Sequence, residues 1–171
     1  IIIKKGEDTF VLDTKWKEGD SVVNVSVSGN ASTELLQRVV FEADNRQWED
    51  EPFVSILAIG TNDAAVLRGE QQVAFSTFSS NVQKIIDILS VKSEQVVVLG
   101  LAPVYEKLSS PWCFDEVVSW KNKPLEKYDA ELQRIAAERA LLFISLQDVL
   151  DKDSNKHLPD GIHPNAEGHR L

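Results

Sequence analysis

The spacing of apolar positions changes along this chain, and the changes mark its elements. Across 21–28, Val22, Val23, Val25 and Val27 alternate loosely with polar residues, the pattern of a strand built from β-branched side chains. Gly29 ends the run. Asn30 or Ser32 can cap a helix, and Leu35, Leu36, Val39, Val40 and Ala43 then recur at helical spacing. Residues 53–59 are almost continuously apolar, broken only by Ser55, which predicts a short strand buried on both faces. After Gly60-Thr61-Asn62-Asp63, a second helix is expected with Phe78, Val82, Ile85, Ile86 and Leu89 on one side. A buried strand follows over 95–101 and stops at Pro103. The loop 104–119 is long and carries Tyr105, Trp112, Cys113 and Phe114. Pro124 suits the opening of a third helix, whose inner side is Leu125, Tyr128, Leu132, Ile135 and Ala136. A last strand is expected over 141–146, and a polar connection over 148–158 leads to a turn at 160–163. Ile1-Ile2-Ile3 can be the tail of a first strand.

Strands that alternate with helices predict an α/β fold, a three-layer α/β/α sandwich with a mostly parallel sheet. In such folds ligands bind beyond the carboxyl ends of the strands. Gly29, Gly60, Asn62, Pro103 and the 160–163 turn all fall there, which points to one site.

Composition narrows the function classes. The 171 residues carry a formal net charge of -9, and Lys and Arg do not cluster, which argues against nucleic acid or an anionic membrane surface as a partner. No apolar run reaches the length of a membrane span. The single cysteine, Cys113, has no partner for an internal disulfide, which leans towards a cytoplasmic location, secretion after removal of a leader being the alternative. The chain reads as one domain over 1–171. It has no methionine, opens within an apolar triplet and stops where a helix would be starting. The expectation is that residues are missing at one or both ends or near the N-terminus.

The stretch richest in chemistry is Asp160-Gly161-Ile162-His163-Pro164-Asn165. A turn there can bring the carboxylate of Asp160 to one ring N–H of His163 and leave the other nitrogen as a base. A surface turn stabilised by an ion pair would carry the same residues. Gly29 and Gly60 can serve tight turns alone, and Asn62 or Asp63 can cap a helix. His157 and His169 flank the turn without the spacing of a zinc site, and no cofactor or metal is expected.

Three segments, Ser28-Gly29-Asn30, Gly60-Thr61-Asn62-Asp63 and the 160–165 stretch, occur in an order and at distances that resemble the blocks of the SGNH or GDSL hydrolase family. The resemblance runs from about residue 22 to the end. It implies a flavodoxin-like sheet and hydrolysis of small or medium acyl esters through a serine and an acyl-enzyme intermediate. It implies His163 as base, Asp160 as the residue that orients it, and Asn62 and Gly29 as oxyanion donors. Fixed donors of this kind stabilise the charge of a tetrahedral intermediate.

The first block of that family, Gly-Asp-Ser after strand one, is not at its expected place. Lys5-Gly6-Glu7-Asp8-Thr9-Phe10 stands there. Gly19-Asp20-Ser21 is the literal string, but Ser21 lies eight residues before Gly29, too close to hold both a helix and a strand. Ser21 therefore reads as the start of a strand, and no nucleophilic serine is assigned. Thr9 is a poorer candidate because its methyl crowds attack. Trp112, Phe114, Tyr105 and Trp120 can wall a substrate pocket or anchor the loop. The aromatic loop predicts short acyl chains as substrates. The alternative function is a catalytically silent ester- or carbohydrate-binding module on the same fold. A flavin-binding protein would need a phosphate-holding loop where Glu7 and Asp8 stand.

Overall fold

The computed structural model describes residues 2–4, 21–46 and 53–171. Five strands form the main sheet: β1 (Ile2–Lys4), β2 (Ser21–Val23), β3 (Phe53–Leu57), β6 (Gln95–Leu99) and β8 (Leu142–Ile144), in the spatial order β2-β1-β3-β6-β8. β3, β6 and β8 pair in parallel. β1 pairs antiparallel with both β2 and β3, so four of the five strands run one way and β1 runs against them. The arrangement is three-layer α/β/α around a largely parallel sheet.

Helices α1 (Ser32–Asp44), α2 (Phe75–Lys92) and α4 (Asn122–Glu138) pack in a row, α1 on α2 and α2 on α4. α2 carries Phe78, Val82, Ile85 and Ile86 fully buried, at the predicted helical spacing. No Gly or Pro interrupts it, and Lys92 sits in its last turn, where the helix dipole favours a cation. These side chains join Leu57, Val96 and Val98 of the sheet in one core. Val54 and Val97, one residue out of phase, face the other side and are also buried. Each such side chain contributes about 1.5–3 kcal/mol relative to exposure.

Ser55, the one polar residue in the apolar run of β3, bonds Ser93 just past the end of α2 at 2.7 Å between hydroxyls. This bond satisfies a group whose burial would otherwise cost about 1–3 kcal/mol. At the far end of β6, Asp129 of α4 accepts the Leu101 N–H at 2.7 Å, and Gln147 donates to the Leu101 carbonyl at 2.7 Å. Burial raises the Asp129 carboxyl above the usual carboxylate range against the effect of that N–H.

Strands are shorter than the hydrophobic runs that announced them. β2 stops at Val23 and the chain continues without ladder pairing towards Gly29; β3 stops at Leu57 and β6 at Leu99. The helix after Gly29 starts at Ser32, and the Glu34 carboxylate accepts the Ala31 N–H at 3.0 Å in place of a cap from Asn30. A small second sheet was not foreseen. β4 (Val66–Leu67) and β5 (Glu70–Gln71) form a hairpin, and β7 (Val118–Ser119) pairs with β4. Arg68 and Gly69 both have positive φ, at 52° and 85°, as a two-residue hairpin turn requires. A short helix, α3 (Glu106–Ser109), lies within the long loop, and the chain ends in a 3₁₀ turn over Gly168–Arg170. Among the described residues no helix is long and apolar enough to cross a membrane.

Candidate active site

The 160–163 turn is held by its own carboxylate. Asp160 Oδ1 accepts the backbone N–H of Ile162 at 2.9 Å and of His163 at 2.8 Å. Its other oxygen, Oδ2, lies 2.6 Å from His163 Nδ1. Burial works against charge on Asp160, but the bonds from the His163 ring and from the two N–H groups outweigh it, so the carboxyl stays below its ordinary range. The His163 side chain is 69% exposed against 15% for Asp160. Gly161 has φ +88°, and a Cβ there would lie 2.9 Å from the Tyr105 carbonyl and the Ser109 nitrogen. Glycine therefore lets the turn seat directly on the start of α3, where Tyr105 N–H donates to the Gly161 carbonyl at 2.8 Å.

Two further turns meet across from it. Gly29 has φ +79°, a conformation that favours glycine, and its N–H donates to no acceptor among the described residues. Asn62 Nδ2 donates one hydrogen to the Asn30 carbonyl at 3.0 Å, which fixes the amide and leaves its second hydrogen without an acceptor among the described residues. Asp63 is fully buried, and both its oxygens lie 3.0 Å from the Ser32 N–H at the start of α1. Burial raises its carboxyl above the usual range, and the Ser32 bonds only partly offset that. Asn81 of α2 donates to Ser32 Oγ at 3.1 Å, and Arg38 of α1 donates to Asn30 Oδ1 at 3.0 Å and to the Val25 carbonyl at 2.8 Å.

Gly29, Asn62 and His163 line one cavity of about 630 Å³. The structure thus brings the four sequence-derived candidates, His163, Asp160, Asn62 and Gly29, to one place. Arg38 and Asn81, which brace the Gly29 and Asn62 turns through Asn30 and Ser32, carry no motif and escaped the sequence reading, whereas Asn30 stood in the Ser28-Gly29-Asn30 block and Ser32 was read as a possible cap. Trp112 and Trp120 line the cavity, whereas Phe114 is 75% exposed and Tyr105 supports the Gly161 turn instead. Trp120 Nε1–H donates to the Thr61 carbonyl at 3.0 Å, and the Trp112 ring lies 6.4 Å from that of His163. The Cys113 thiol reaches the Asp160 carbonyl at 3.6 Å. His157 and His169 stay outside the cavity lining, and among the described residues no group of side chains could hold a metal ion.

Ser21 opens β2 and pairs with Lys4, at the end of the sheet opposite Gly29, as its reading as a strand start requires. Because β1 runs against β3, Lys4 stands beside Phe53, at that same far end. The family's first block would follow strand one at the site, but here the chain leaves β1 at the end of the sheet away from it. Thr9 and its neighbours lie outside the described residues. Among the described residues no serine or threonine hydroxyl bonds the His163 ring.

Solved structures share this fold. The chain superposes on a GDSL-like lipase from Bacteroides thetaiotaomicron with a TM-score of 0.66 and 16% identity over 84% of this chain and 67% of that one. An acetylxylan esterase from Geobacillus stearothermophilus matches with a TM-score of 0.62 and 16% identity, over 84% of this chain and 64% of the other. An alpha/beta hydrolase enzyme from the metagenome of Lake Arreo, Spain, matches at 0.61 and 18%, over 84% and 64%. At these identities the likeness is one of fold, and the chain spans about two thirds of the length of these structures. No curated protein matches it. Residues 10–171 do match the profile of one family, nearly the whole chain, and with the site geometry above this places the protein in the GDSL-like lipase/acylhydrolase family.

Proposed function

We propose that the protein hydrolyses carboxylic esters of small or medium size through a serine nucleophile and an acyl-enzyme intermediate. One observation carries the reading. His163, held by Asp160, lines the same cavity as Gly29 and Asn62, whose N–H and second amide hydrogen have no partner among the described residues. With its proton on Nδ1, His163 donates to Asp160 and offers Nε2 as the base. The serine hydroxyl attacks the ester carbonyl while its proton passes to Nε2. Charge collects on the carbonyl oxygen, where Gly29 N–H and the second Asn62 hydrogen stabilise it. Collapse of the intermediate expels the alcohol, which takes the proton from His163. Water repeats the sequence on the acyl-enzyme and releases the acid. The reading is supported by the strand order β2-β1-β3-β6-β8, which follows the 2-1-3-4-5 order of a flavodoxin-like sheet apart from the reversed β1, and by the place of the site beyond the carboxyl ends of the parallel strands.

A second reading follows from the absence of a hydroxyl at the His163 ring among the described residues: a silent module that binds an ester or a carbohydrate without cleaving it. A fluorophosphonate probe followed by peptide mapping separates the two, with an intact mass taken first. Labelling of one serine, lost in His163→Ala, is the expected result. Labelling of Thr9 keeps the hydrolase with an unusual nucleophile. A protein whose mass equals the 171 residues and which takes no label is the binding module.

A further inference from the structure

The Gly29 turn stands on a segment that the sheet does not hold. β2 ends at Val23, and residues 24–29 make no ladder pairing before α1 begins at Ser32. Val27, within this segment, is 51% exposed and gives it no anchor in the core. Two bonds here are local, from Ser26 N–H to Asn24 Oδ1 at 2.9 Å and from Asn30 N–H to the Val27 carbonyl at 3.2 Å. Among the described residues, one hydrogen bond ties residues 24–29 to another element, and Arg38 of α1 donates it. Arg38 Nη1 donates to the Val25 carbonyl at 2.8 Å, and Nε donates to Asn30 Oδ1 at 3.0 Å. These acceptors lie on either side of Gly29 in the chain, four residues before it and one after. Two nitrogens of one rigid plane therefore span the turn. The carbonyl of the same Asn30 accepts the bonded hydrogen of Asn62. Glu42, one turn further along α1, accepts from Arg38 Nη1 at 3.4 Å and pairs in its turn with Arg46.

Resting on the ester-hydrolase reading, we propose that Arg38 is a positioning residue for both oxyanion donors. It sets the place of the Gly29 N–H by spanning its turn, and the place of the Asn62 amide through Asn30. Hydrogen bonds from a cation are about twice as strong as neutral ones, and the planar fork of an arginine fixes directions that the single head of a lysine does not. Donors stabilise a tetrahedral intermediate best where they stand in advance, because a donor that must first move into place costs reorganisation. A displacement of about 1 Å costs on the order of a hundredfold in rate. The carbonyl oxygen of the bound ester carries far less charge than that of the intermediate. Arg38 is therefore felt in kcat and not in KM.

Two measurements test this: steady-state kinetics on p-nitrophenyl acetate, and NMR relaxation of the isotope-labelled protein. Arg38→Lys keeps the charge and the aliphatic stem, and it is expected to lower kcat about tenfold or more. Arg38→Ala should lower it about a hundredfold, with KM within about twofold in both variants. Asn30→Ala removes one acceptor and should lower kcat by less than Arg38→Ala. The double variant should fall no further than Arg38→Ala, because Asn30 Oδ1 acts only through Arg38. The order parameter of the Gly29 N–H should be about 0.85 in the unmodified protein and fall below about 0.6 in Arg38→Ala, while those of α1 hold. Unchanged kcat in the folded Arg38 variants, with stability alone reduced in a urea melt, overturns the proposal and leaves the hydrolase reading intact. A Gly29 order parameter that is the same with and without Arg38 overturns it whether or not any ester is turned over. Loss of Gly29 order in a protein that hydrolyses no ester keeps the positioning role and overturns the hydrolase reading. If Arg38→Ala does not fold, Arg38→Lys and Asn30→Ala decide by the same two measurements.

Discussion

The two sides of the site are built in opposite ways. His163 and Asp160 are three residues apart, and all three bonds that the Asp160 carboxylate accepts are made within four consecutive residues. The Gly29 and Asn62 turns are braced by bonds that span 31 to 49 residues: Asp63 to Ser32, Asn62 to Asn30, Asn81 to Ser32. The base stands out in solvent, whereas the carboxylate that braces the opposite turn is fully buried. Electrostatics follows the same division. Asp160 meets three donors and its carboxyl is lowered, whereas Asp63 has only the Ser32 end of α1 against its burial and its carboxyl is raised. A local turn can position a base without help from the core. A pair of fixed donors facing it needs the packed sheet and helices to bring distant segments into register.

The sharpest way to test this division is to remove the exposed side. His163→Ala is expected to lower kcat on p-nitrophenyl acetate by about a thousandfold or more, because the members of a triad act as a unit. Its stability in a urea melt should stay within about 0.5 kcal/mol of the unmodified protein, as for a surface position. Turnover near that of the unmodified protein in the folded variant would remove His163 from the mechanism.

On the braced side, activity and stability should fall together. Asn62→Ala should cost roughly a hundred- to thousandfold in kcat through loss of an oxyanion donor. It also loses the bond to Asn30, about 1 kcal/mol. A fall in stability without a fall in kcat would make Asn62 a strut only. Asp63→Ala leaves the Ser32 N–H buried without its acceptor and should cost about 1–3 kcal/mol in the same melt. Asp63→Asn, which keeps one acceptor, should cost less.

The smallest effect distinguishes the two carboxylates by sign. Asp160 has a depressed folded pKa, so its contribution to stability is present above about pH 3.9, its unfolded value, and is lost as pH falls through the folded one. Asp63 has a raised one, so its contribution is full below about pH 3.9 and is lost as pH rises through the folded value. Urea melts across acidic pH should therefore show Asp160→Asn approaching the unmodified protein as pH falls. Asp63→Asn should improve relative to it as pH rises. Slopes of the same sign in both variants would contradict the division.

What could be read from the sequence follows the same boundary. The 160–163 turn was legible because its chemistry is contained in its own residues. The elements α1, α2 and α4, and the strands after them, were legible because apolar spacing records a helix face or a buried run directly. Ser55 looked like a flaw in its strand until Ser93, 38 residues away, supplied its partner. Asn81 gave no signal for the same reason, since Ser32 lies 49 residues away. The β4–β5 hairpin was missed because Arg68-Gly69 has no apolar alternation on either side long enough to announce strands. The direction of β1 had no counterpart in the sequence, since three isoleucines look alike read either way.

The loop that carries Trp112 and Trp120 touches both sides at once, through the Trp112–His163 ring contact and the Trp120–Thr61 bond. The protein thus contains an optical reporter of its own site. A ligand seated against the His163 ring should change the emission of Trp112. A ligand seated against Thr61 should shift the emission of Trp120. An emission change on ligand binding that vanishes in both Trp112→Phe and Trp120→Phe would allow occupancy of the site to be followed without turnover.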